Sequence, residues 1–480
     1  MKKVFIMIIS IVSLYSADNE ITLNDAIKTA LENNKQAKIS KIALDIAKAQ
    51  YEQALSANYP ALNAMIAGQR KKEDVIYQQR GAISLPSSTA KSLALSNMLA
   101  SGLDLATAQA QINSLPAGAF DNQTLSIDTD TTAMGRDTVK ASLNILYPLF
   151  TGGKISAIIE QAKLNKLINA NNITRANQDV IFDIKKYFYG YMLTNELYKI
   201  SKSTLDRMKL ISQLTKEFYE GGLNLNIKKT DYLSVQVTVT LIESIVAKLE
   251  QNRELVKSAL ANTMGLSWNS VITPVYSDST ILPANYILSD LIKEAYRSNI
   301  DIKNMDIALK IKSEQIKEAK AGHYPTVALM GEVSHTYNSY EYGYLADDKE
   351  NQWNVGFAVD IPLFDGLKTT NSVKEKSLDK KRMYLLQDML KEGVALQIKN
   401  ELTKASIGFK QIQTLKKSKK LASENRKLNI KGYQIGAIDP EDVIQTQYIE
   451  AYVKADYLKY EHDYLLSLAT IDKLIGQELK

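Results

Sequence analysis

The sequence predicts a mostly α-helical fold that also supplies strands for a membrane β-barrel, with two structural repeats and four strands per chain. Three observations support this fold class. The chain repeats itself, two long segments with helical periodicity contain no proline, and a strand with one apolar face precedes each of these segments.

The composition excludes several classes of function. The 480 residues carry a formal charge of +6, spread along the chain, without the basic block that is typical of nucleic-acid-binding proteins. The chain has no cysteine, which excludes disulfides, cysteine metal sites, thiol catalysis and a lipoprotein's acylated cysteine. No nucleophile elbow or metal-ligand spacing occurs. We therefore expect no enzyme, no cofactor, no metal and no nucleic-acid partner.

The segment 1–17 has the pattern of a secretory signal peptide. Lys2 and Lys3 precede the short apolar run Val4–Leu14, and Ser16-Ala17 offers small residues for cleavage. A buried N-terminal strand is the alternative. The run is shorter than the ~20 apolar residues of a membrane-spanning helix, and no later run reaches that length. We expect an exported protein without a transmembrane helix, which can still enter a membrane through β-strands.

Two copies of one pattern account for nearly all of the remaining chain. Residues 23–60 and 288–325 align without a gap at an offset of 265, with 15 of 38 positions identical. Later positions align at an offset of 214 and then of 211, because the first copy has three extra residues just after Gly222. We predict a first repeat at 18–266, a linker at 267–287 and a second repeat at 288–480.

Each repeat begins with a leading helix and a short strand. The helix, at about 22–58 in the first repeat, has apolar residues at spacings of three and four, and a Tyr-Pro pair ends it. The strand that follows covers Ala61–Gln69 or Thr326–Ser334. A second strand alternates apolar and polar residues from Val139 onward, and again from Trp353. This period gives one apolar face, as in a strand that faces lipid.

A long helix follows each second strand, at about 151–219 and 366–434. Each would be roughly 100 Å long at 1.5 Å per residue. Glycine-containing turns at 220–223 and 435–438 lead into a return helix. The leading and return helices together match the long helix in length, so we expect them to stack end to end beside it.

Alternatives exist for the strands and for the phrase LYPLFTGGK at 146–154. A phosphate-binding loop would need glycine and Ser or Thr where Pro148 and Ile155 stand, so the phrase does not fit one. The alternating strands could instead form a small soluble sheet.

In a membrane, four strands are too few for a barrel, whose smallest form has about eight, and open edges are not tolerated in lipid. Several chains would then have to share one barrel.

The order of motifs resembles the TolC-like outer membrane factors, the outer membrane efflux protein family. The shared motifs are Tyr-Pro after each leading helix, Pro-Leu-Phe-x-Gly before each long helix and a glycine turn at its far end, over roughly residues 20–478. The resemblance implies a homotrimer with a twelve-stranded barrel in outer-membrane lipid and a coiled-coil α-helical tunnel in the periplasm. Pro148 with Gly152, and Pro362 with Gly366, would mark where a barrel strand becomes a tunnel helix.

The resemblance implies transport without chemistry. The chain would be the exit duct of a tripartite efflux system, passing small molecules such as drugs. It would dock to a periplasmic membrane-fusion adaptor protein and, through it, to an inner-membrane RND or ABC transporter. The outer-membrane channel of a type I protein secretion system is the alternative within this fold. A soluble periplasmic helical scaffold is the alternative of another class.

Members of the family carry a Val-Gly-Leu-like phrase at the helix turns, where the adaptor docks. The first turn of this chain departs from the phrase at the valine and the second at the leucine, so the two docking grooves are expected to differ. The matching residues are Gly221, Gly222, Leu223, Ile435, Gly436 and Ala437.

The resemblance also implies a closed gate near these turns. Tyr433 matches a tyrosine of the links that hold the family's tunnel shut, and Asp442 matches an aspartate that rings the narrowest opening. Asp231 becomes equivalent to Asp442 only if the three extra residues loop out. Gln445 and Ile438 replace a second aspartate and an arginine, so the closed-state links are expected to differ from the family's usual set.

Asp442 has a second interpretation. Three symmetry-related carboxylates in a narrow aqueous neck would attract cations. A carboxylate just after Pro440 would also stabilise the N-terminus of a helix through the helix dipole.

The loop at about 70–138 has no counterpart of similar length in the second repeat. Its part at 90–115 is rich in Ala, Leu, Ser and Gln, which predicts some helix, and in a barrel it would face the exterior.

Overall fold

The computed structural model describes residues 20–78, 81–84, 86–116, 118–120, 124–127, 130–221, 227–275, 281, 283, 285–338 and 350–478. The predicted signal peptide at 1–17 lies outside them. The chain divides into two units. The helical unit combines Ala162–Lys312 and Leu378–Lys480 with the N-terminal residues up to Ala49, and the sheet unit combines Gln50–Gln161 with Ser313–Ser377.

The fold is mostly helical, as predicted. The helices are α1 (Leu23–Asn33), α2 (Lys35–Leu55), α3 (Ser87–Ala100), α4 (Leu105–Asn113), α5 (Lys154–Glu220), α6 (Lys229–Thr263), α7 (Leu288–Ser298), α8 (Ile300–Ala321), α9 (Lys368–Gln434) and α10 (Pro440–Ile475). The long helices α5 and α9 have 67 residues each, and their bounds lie within three residues of the predicted ones. The bounds of the two repeats and of the linker stay predictions.

Each leading helix is broken, so the prediction of one helix from about 22 to 58 is wrong. α1 ends before Asn34 and α7 ends before Asn299. Asn34 Oδ1 accepts the backbone N–H of Gln36 at 2.7 Å, and Asn299 Oδ1 accepts that of Asp301 at 2.9 Å. An asparagine oxygen satisfies amides at the start of a helix, so each asparagine caps the helix that follows it.

The same asparagines join the leading helices to the return helices. Asn34 Nδ2 donates to the carbonyl oxygen of Thr263 at 2.6 Å, and Asn299 Nδ2 donates to that of Leu474 at 2.9 Å. The ends of α1 and α6 therefore meet, as do those of α7 and α10. At the first junction, Gly265 follows α6, and a Cβ added to it would lie 2.5 Å from the backbone of Asn33 at the end of α1.

Two apolar cores hold these junctions in place. The first joins α1, α5 and α6, and the second joins α7, α9 and α10. Each buried side chain of Val, Leu, Ile or Phe size contributes about 1.5–3 kcal/mol to stability. The fully buried members include Ala26, Ala30, Ile184, Phe188, Leu260, Ala295, Ile398 and Ile471.

Four strands form one antiparallel sheet at the places where strands were predicted, but the prediction of four strands per chain is wrong, because the described residues contain six shorter strands as well. The strands of the chain are β1 (Glu20–Ile21), β2 (Ala61–Arg70), β3 (Val75–Gln78), β4 (Gly81–Ser84), β5 (Thr124–Ile127), β6 (Asp130–Met134), β7 (Asp137–Phe150), β8 (Thr273–Pro274), β9 (Thr326–Asn338) and β10 (Asn351–Asp360). The order in the sheet is β10-β9-β7-β2. Within the described residues the sheet is open, with β2 and β10 at its edges.

The segment at 70–138 is more structured than the predicted loop. β3 pairs with β6, and β4 pairs with β5, in two separate two-stranded sheets. The helical character expected at 90–115 appears as α3 and α4. The parallel pair β1 and β8 was also not predicted, because strands of two residues are too short to show a period.

One face of the four-stranded sheet is apolar and exposed. The register places Leu143 opposite Val333, and Val333 opposite Trp353. These three side chains are 50%, 61% and 76% exposed. The opposite face is polar, and there Lys140 Nζ lies 2.6 Å from Glu332 Oε1. A sheet in a soluble protein packs its apolar face on a core, whereas the apolar face of this sheet is exposed.

α6 is long and apolar enough, by length and composition alone, to cross a membrane. It contains no unbroken run of about 20 apolar residues, and the expectation of a protein without a transmembrane helix stays a prediction. The apolar composition has an explanation within the helical unit, since Val235, Val239, Ile242 and Val246 are buried against other helices.

The predicted strand-to-helix residues lie where β7 ends and where β10 ends. Pro148 is still within β7, and Pro362 follows β10. Gly152 and Gly366 have φ of 62° and 67°, a left-handed conformation that glycine adopts without penalty. Gly152 is also crowded, because a Cβ there would lie 2.7 Å from Tyr324 Cβ.

Gly152→Ala should destabilise the protein more than Gly153→Ala. Both glycines have positive φ, so alanine costs about 1–2 kcal/mol at either position. Only at Gly152 does the new methyl also overlap neighbouring atoms, which adds about 1–3 kcal/mol. Thermal unfolding followed by circular dichroism measures both. Equal midpoints for the two variants would contradict the packing argument.

Candidate gate and docking site

The turn between α9 and α10 is closed by hydrogen bonds around a left-handed glycine. Gly436 has φ of 75°, its N–H donates to the carbonyl of Tyr433 at 3.0 Å, and that of Ala437 donates to Gly432 at 2.8 Å. This pair of bonds is the Schellman motif that ends many helices. A Cβ on Gly432 would lie 2.5 Å from the Ile438 side chain. The position where the family's arginine was expected therefore packs against the turn.

The predicted docking residues that the structure describes are at the surface. Ile435 is 81% exposed, and Gly436 and Ala437 beside it are also exposed. At the end of α5, Gly221 is exposed and its N–H donates to the carbonyl of Glu217 at 2.9 Å. Two further residues of that turn, Gly222 and Leu223, lie outside the described residues.

A core next to these turns joins α5, α6, α9 and α10, and we call it the tip cluster. It brings together helices of both predicted repeats, so it links the first part of the chain to the second. Its buried members are Leu205, Met208, Ile211, Ile227, Val235, Val239, Ile242, Val246, Tyr433 and Val443.

Tyr433 links α9 to α5 within the tip cluster. The Tyr433 hydroxyl lies 2.6 Å from Thr215 Oγ1. The Thr215 hydroxyl donates its proton to the carbonyl of Ile211 at 2.7 Å, so Tyr433 is the donor to Thr215. The ring of Phe218 meets Tyr433 edge-on at 5.8 Å. Burial, and to a smaller extent the charge of Asp231, raise the pKa of Tyr433. The phenol therefore stays protonated and keeps its bond.

The aligned tyrosine of the first repeat makes no such link. Tyr219, at the offset of 214 from Tyr433, is 40% exposed. The buried bond to Thr215 therefore occurs once per chain among the described residues. The resemblance could point to Tyr433, but it could not identify Thr215, which lies 218 residues earlier.

Asp231 and Asp442 are each the third residue of a return helix, α6 and α10. The Asp231 carboxylate accepts the backbone N–H of Lys228 at 2.8 Å and so caps its helix. Asp442 is exposed and forms no hydrogen bond or ion pair with another described residue. The two aspartates therefore have equivalent positions but differ in what their carboxylates contact.

α10 carries a buried carboxylate that was not predicted from the sequence. Glu450 is 1% exposed, and three cations surround it. Glu450 Oε2 lies 2.7 Å from Arg426 Nε and 3.3 Å from Arg207 Nη2, and Oε1 lies 2.8 Å from Lys454 Nζ. Ser423 Oγ also donates to Oε1, at 2.7 Å. We call these five residues the charged node.

The charged node keeps Glu450 ionised. Burial acts to raise the pKa of Glu450, but hydrogen bonds from Lys454 and Ser423 and the charges of Lys454 and Arg426 outweigh it, so the pKa lies below its usual value. A signal for this residue was present in the sequence. Glu450 aligns at the offset of 211 with Val239, a buried apolar position of the tip cluster, where a charge is unexpected.

The arrangement holds helices together. Within the ranges that the structure describes, no cluster of three or more His, Cys, Asp or Glu side chains could hold a metal ion. The buried polar contacts of the tip cluster and the charged node instead join α5 to α9 and α10. Separating these helices would require breaking those contacts.

The second part of the chain matches the model of one protein family. Residues 291–477 match the family model described as outer membrane efflux protein. The probable efflux pump outer membrane protein TtgC of Pseudomonas putida is 19% identical over 347 residues, which are 72% of this chain and 60% of TtgC. The match thus spans less than two thirds of the length of the curated relatives.

Solved structures share the fold over nearly the whole chain. The outer membrane protein VceC of Vibrio cholerae has a TM-score of 0.70 and 14% identity, covering 95% of this chain and 97% of VceC. The CmeC outer membrane channel of Campylobacter jejuni has a TM-score of 0.72 and 14% identity, covering 95% of this chain and 85% of CmeC. These likenesses establish the fold.

The matching family model describes outer membrane efflux proteins, and the solved structures that share the fold are outer membrane proteins, one of them described as a channel. The resemblance inferred from the Tyr-Pro, Pro-Leu-Phe-x-Gly and glycine-turn motifs is confirmed. Residues 291–477 thus match the outer membrane efflux protein family, and nearly the whole chain shares its fold with the outer membrane proteins VceC and CmeC.

Proposed function

We propose that three copies of this chain form the outer-membrane exit duct of a tripartite efflux system. The four-stranded sheet carries the proposal. Its apolar face is exposed, with Trp353 76% and Phe357 70% accessible, and β2 and β10 are open edges within the described residues. Lipid would cover the apolar face, and neighbouring copies would pair with the edges, because unpaired backbone groups are not tolerated in hydrocarbon.

Three copies satisfy both requirements. Pairing β10 of one copy with β2 of the next is a head-to-tail contact, and such contacts close into a ring. Three copies would supply twelve strands, enough for a membrane barrel. The polar face that holds Lys140 and Glu332 would then line a water-filled channel. The long helices α5 and α9 would form the periplasmic tunnel.

The turns would provide the docking surface for a periplasmic adaptor. Ile435, Gly436 and Ala437 are exposed at one turn and Gly221 at the other, and an exposed isoleucine suits a contact with an apolar partner surface. The adaptor would connect the duct to an inner-membrane RND or ABC transporter. The cargo would be small molecules, in line with the description of TtgC as an efflux pump component.

The closed state would rest on links between helix pairs close to these turns. The Tyr433–Thr215 bond joins α9 to α5, and Arg207 joins α5 to Glu450 on α10. The exposed Asp442 carboxylates of three copies would lie at the narrowest opening and attract cations. An adaptor that spreads the helix pairs would break the links and open the duct.

Native mass spectrometry of the protein extracted from outer membranes tests the proposal. We expect a detergent-solubilised particle with the mass of three chains, because only shared strands can close the sheet. A monomer recovered from the periplasmic fraction without detergent would exclude the duct and would favour a soluble helical scaffold.

Tyr433→Phe should open the duct more often. Loss of the buried hydrogen bond to Thr215 costs the closed state about 1 kcal/mol per chain, which shifts the equilibrium toward the open state about fivefold for one chain and about 150-fold for three chains that open together. Single-channel recording in planar bilayers measures it. Tyr219→Phe is the matched control, since Tyr219 is half-exposed, and it should leave gating unchanged. The same increase in both variants would remove Tyr433 from the gate.

Asp442→Asn should lower the preference of the duct for cations severalfold. The substitution removes one exposed carboxylate per copy and breaks no hydrogen bond at the helix start, because Asp442 makes none with another described residue and the N-cap residue is Asp439. Reversal potentials in a potassium chloride gradient measure the selectivity. Asp231→Asn removes a charge at the aligned position, where the carboxylate is engaged by Lys228, and should change selectivity less. Unchanged selectivity in Asp442→Asn would show that its only role is at the helix N-terminus.

A further inference from the structure

The side-chain amide of Gln447 lies against the charged node with its nitrogen unpaired. Gln447 is 1% exposed, and its Oε1 accepts from Arg207 Nε at 3.0 Å. Arginine has only donors, so this bond fixes which end of the amide faces Arg207. The buried Gln447 Nε2 has no hydrogen-bond partner among the described residues. A buried donor without an acceptor is costly, so an acceptor is needed.

The first repeat shows how such an amide is satisfied. Gln236 aligns with Gln447 at the offset of 211, and its Nε2 donates to Ser212 Oγ at 3.1 Å and to Tyr232 Oη at 2.9 Å. Neither acceptor is present in the second repeat. A valine aligns with Tyr232, and Arg426 aligns with Ser212. The hydroxyl of Ser212, which accepts from Gln236, is therefore replaced by the cationic side chain of Arg426, which cannot accept from Gln447.

The charged node also has too little negative charge. Arg207, Arg426 and Lys454 surround the single carboxylate of Glu450, so three positive charges face one negative charge. Asp206 acts on Arg207 electrostatically but is exposed and forms no ion pair with it. Arg426 Nε is buried without a well-directed hydrogen bond, although Glu450 is near. These three side chains are only 14–28% exposed, and cations that have lost much of their solvation need nearby counterions.

We propose that a small monovalent anion of the halide class, such as chloride, binds between the Gln447 amide nitrogen and the Arg426 guanidinium. One anion would accept from the unpaired Gln447 amide, would lie beside Arg426 in addition to its ion pair with Glu450, and would reduce the excess positive charge of the node. A water molecule would accept from Gln447 but would leave the charge excess unchanged.

The site would occur only in the second repeat. At the aligned positions of the first repeat, Gln236 has its acceptors, Ser212 replaces the arginine and Val239 replaces the glutamate. Burial and the charge of Arg426 both lower the pKa of Arg207, so the two arginines oppose each other in the node as it stands. An anion beside Arg426 would relieve this opposition and hold α9 to α10.

Thermal unfolding of the full chain in detergent tests the site. The midpoint would be measured at constant ionic strength in sodium chloride, sodium bromide and sodium gluconate. We expect a saturable rise of the midpoint with chloride and with bromide, since an anion that binds only the folded state stabilises it. Gluconate, whose anion is too large for the site, should give no such rise.

Three variants separate the site from general effects of salt. Arg426→Ser installs the residue of the first repeat and should abolish the halide-dependent rise, while Glu450 keeps Arg207 and Lys454. If Arg426→Ser fails to fold, Gln447→Met removes the amide alone and should have the same effect. Gln236→Leu is the matched control and should lower the midpoint in every salt but keep the halide-dependent rise.

A crystal soaked in bromide gives a direct readout. We expect an anomalous scattering peak between Gln447 and Arg426. Equal midpoints in chloride and gluconate, with no bromide peak, would overturn the proposal in favour of ordered water. A halide-dependent rise that persists in Arg426→Ser and in Gln447→Met would also overturn it, because the anion would then bind elsewhere.

Discussion

The exposed apolar face of the four-stranded sheet is the constraint on which the rest of the structure depends. Its side chains cannot be covered by the polar face of the same sheet, where Lys140 and Glu332 form their ion pair. Its edge strands also carry backbone groups that no described strand of the same chain pairs. Apolar burial and backbone hydrogen bonding must therefore both be completed by surroundings outside the single chain.

The long helices and the four sheet strands could be predicted because their signals extend over many residues. A helix of 67 residues repeats its period often enough to fix its bounds within three residues. The breaks at Asn34 and Asn299 could not be predicted in this way, because each depends on one capping side chain and one distant carbonyl. The short strands within 70–138 lack a period long enough to be read.

The candidate gate was predictable one residue at a time but not as a set of contacts. The resemblance indicated Tyr433 and the two aspartates, whereas Thr215 required the three-dimensional packing of α5 against α9. Glu450 shows the limit of reading the two repeats as equal. Its aligned partner Val239 is apolar, so two aligned buried positions hold an apolar contact in one case and an ionic contact in the other.

The asparagine junctions have a consequence for the ancestry of the chain. Asn34 bonds to Thr263, and Asn299 bonds to Leu474, so each half of the chain supplies both the cap and the acceptor of its own junction. Neither half borrows this contact from the other. A half-length ancestor would already have contained the complete junction, and fusion of two such genes would have required no new interaction at this place.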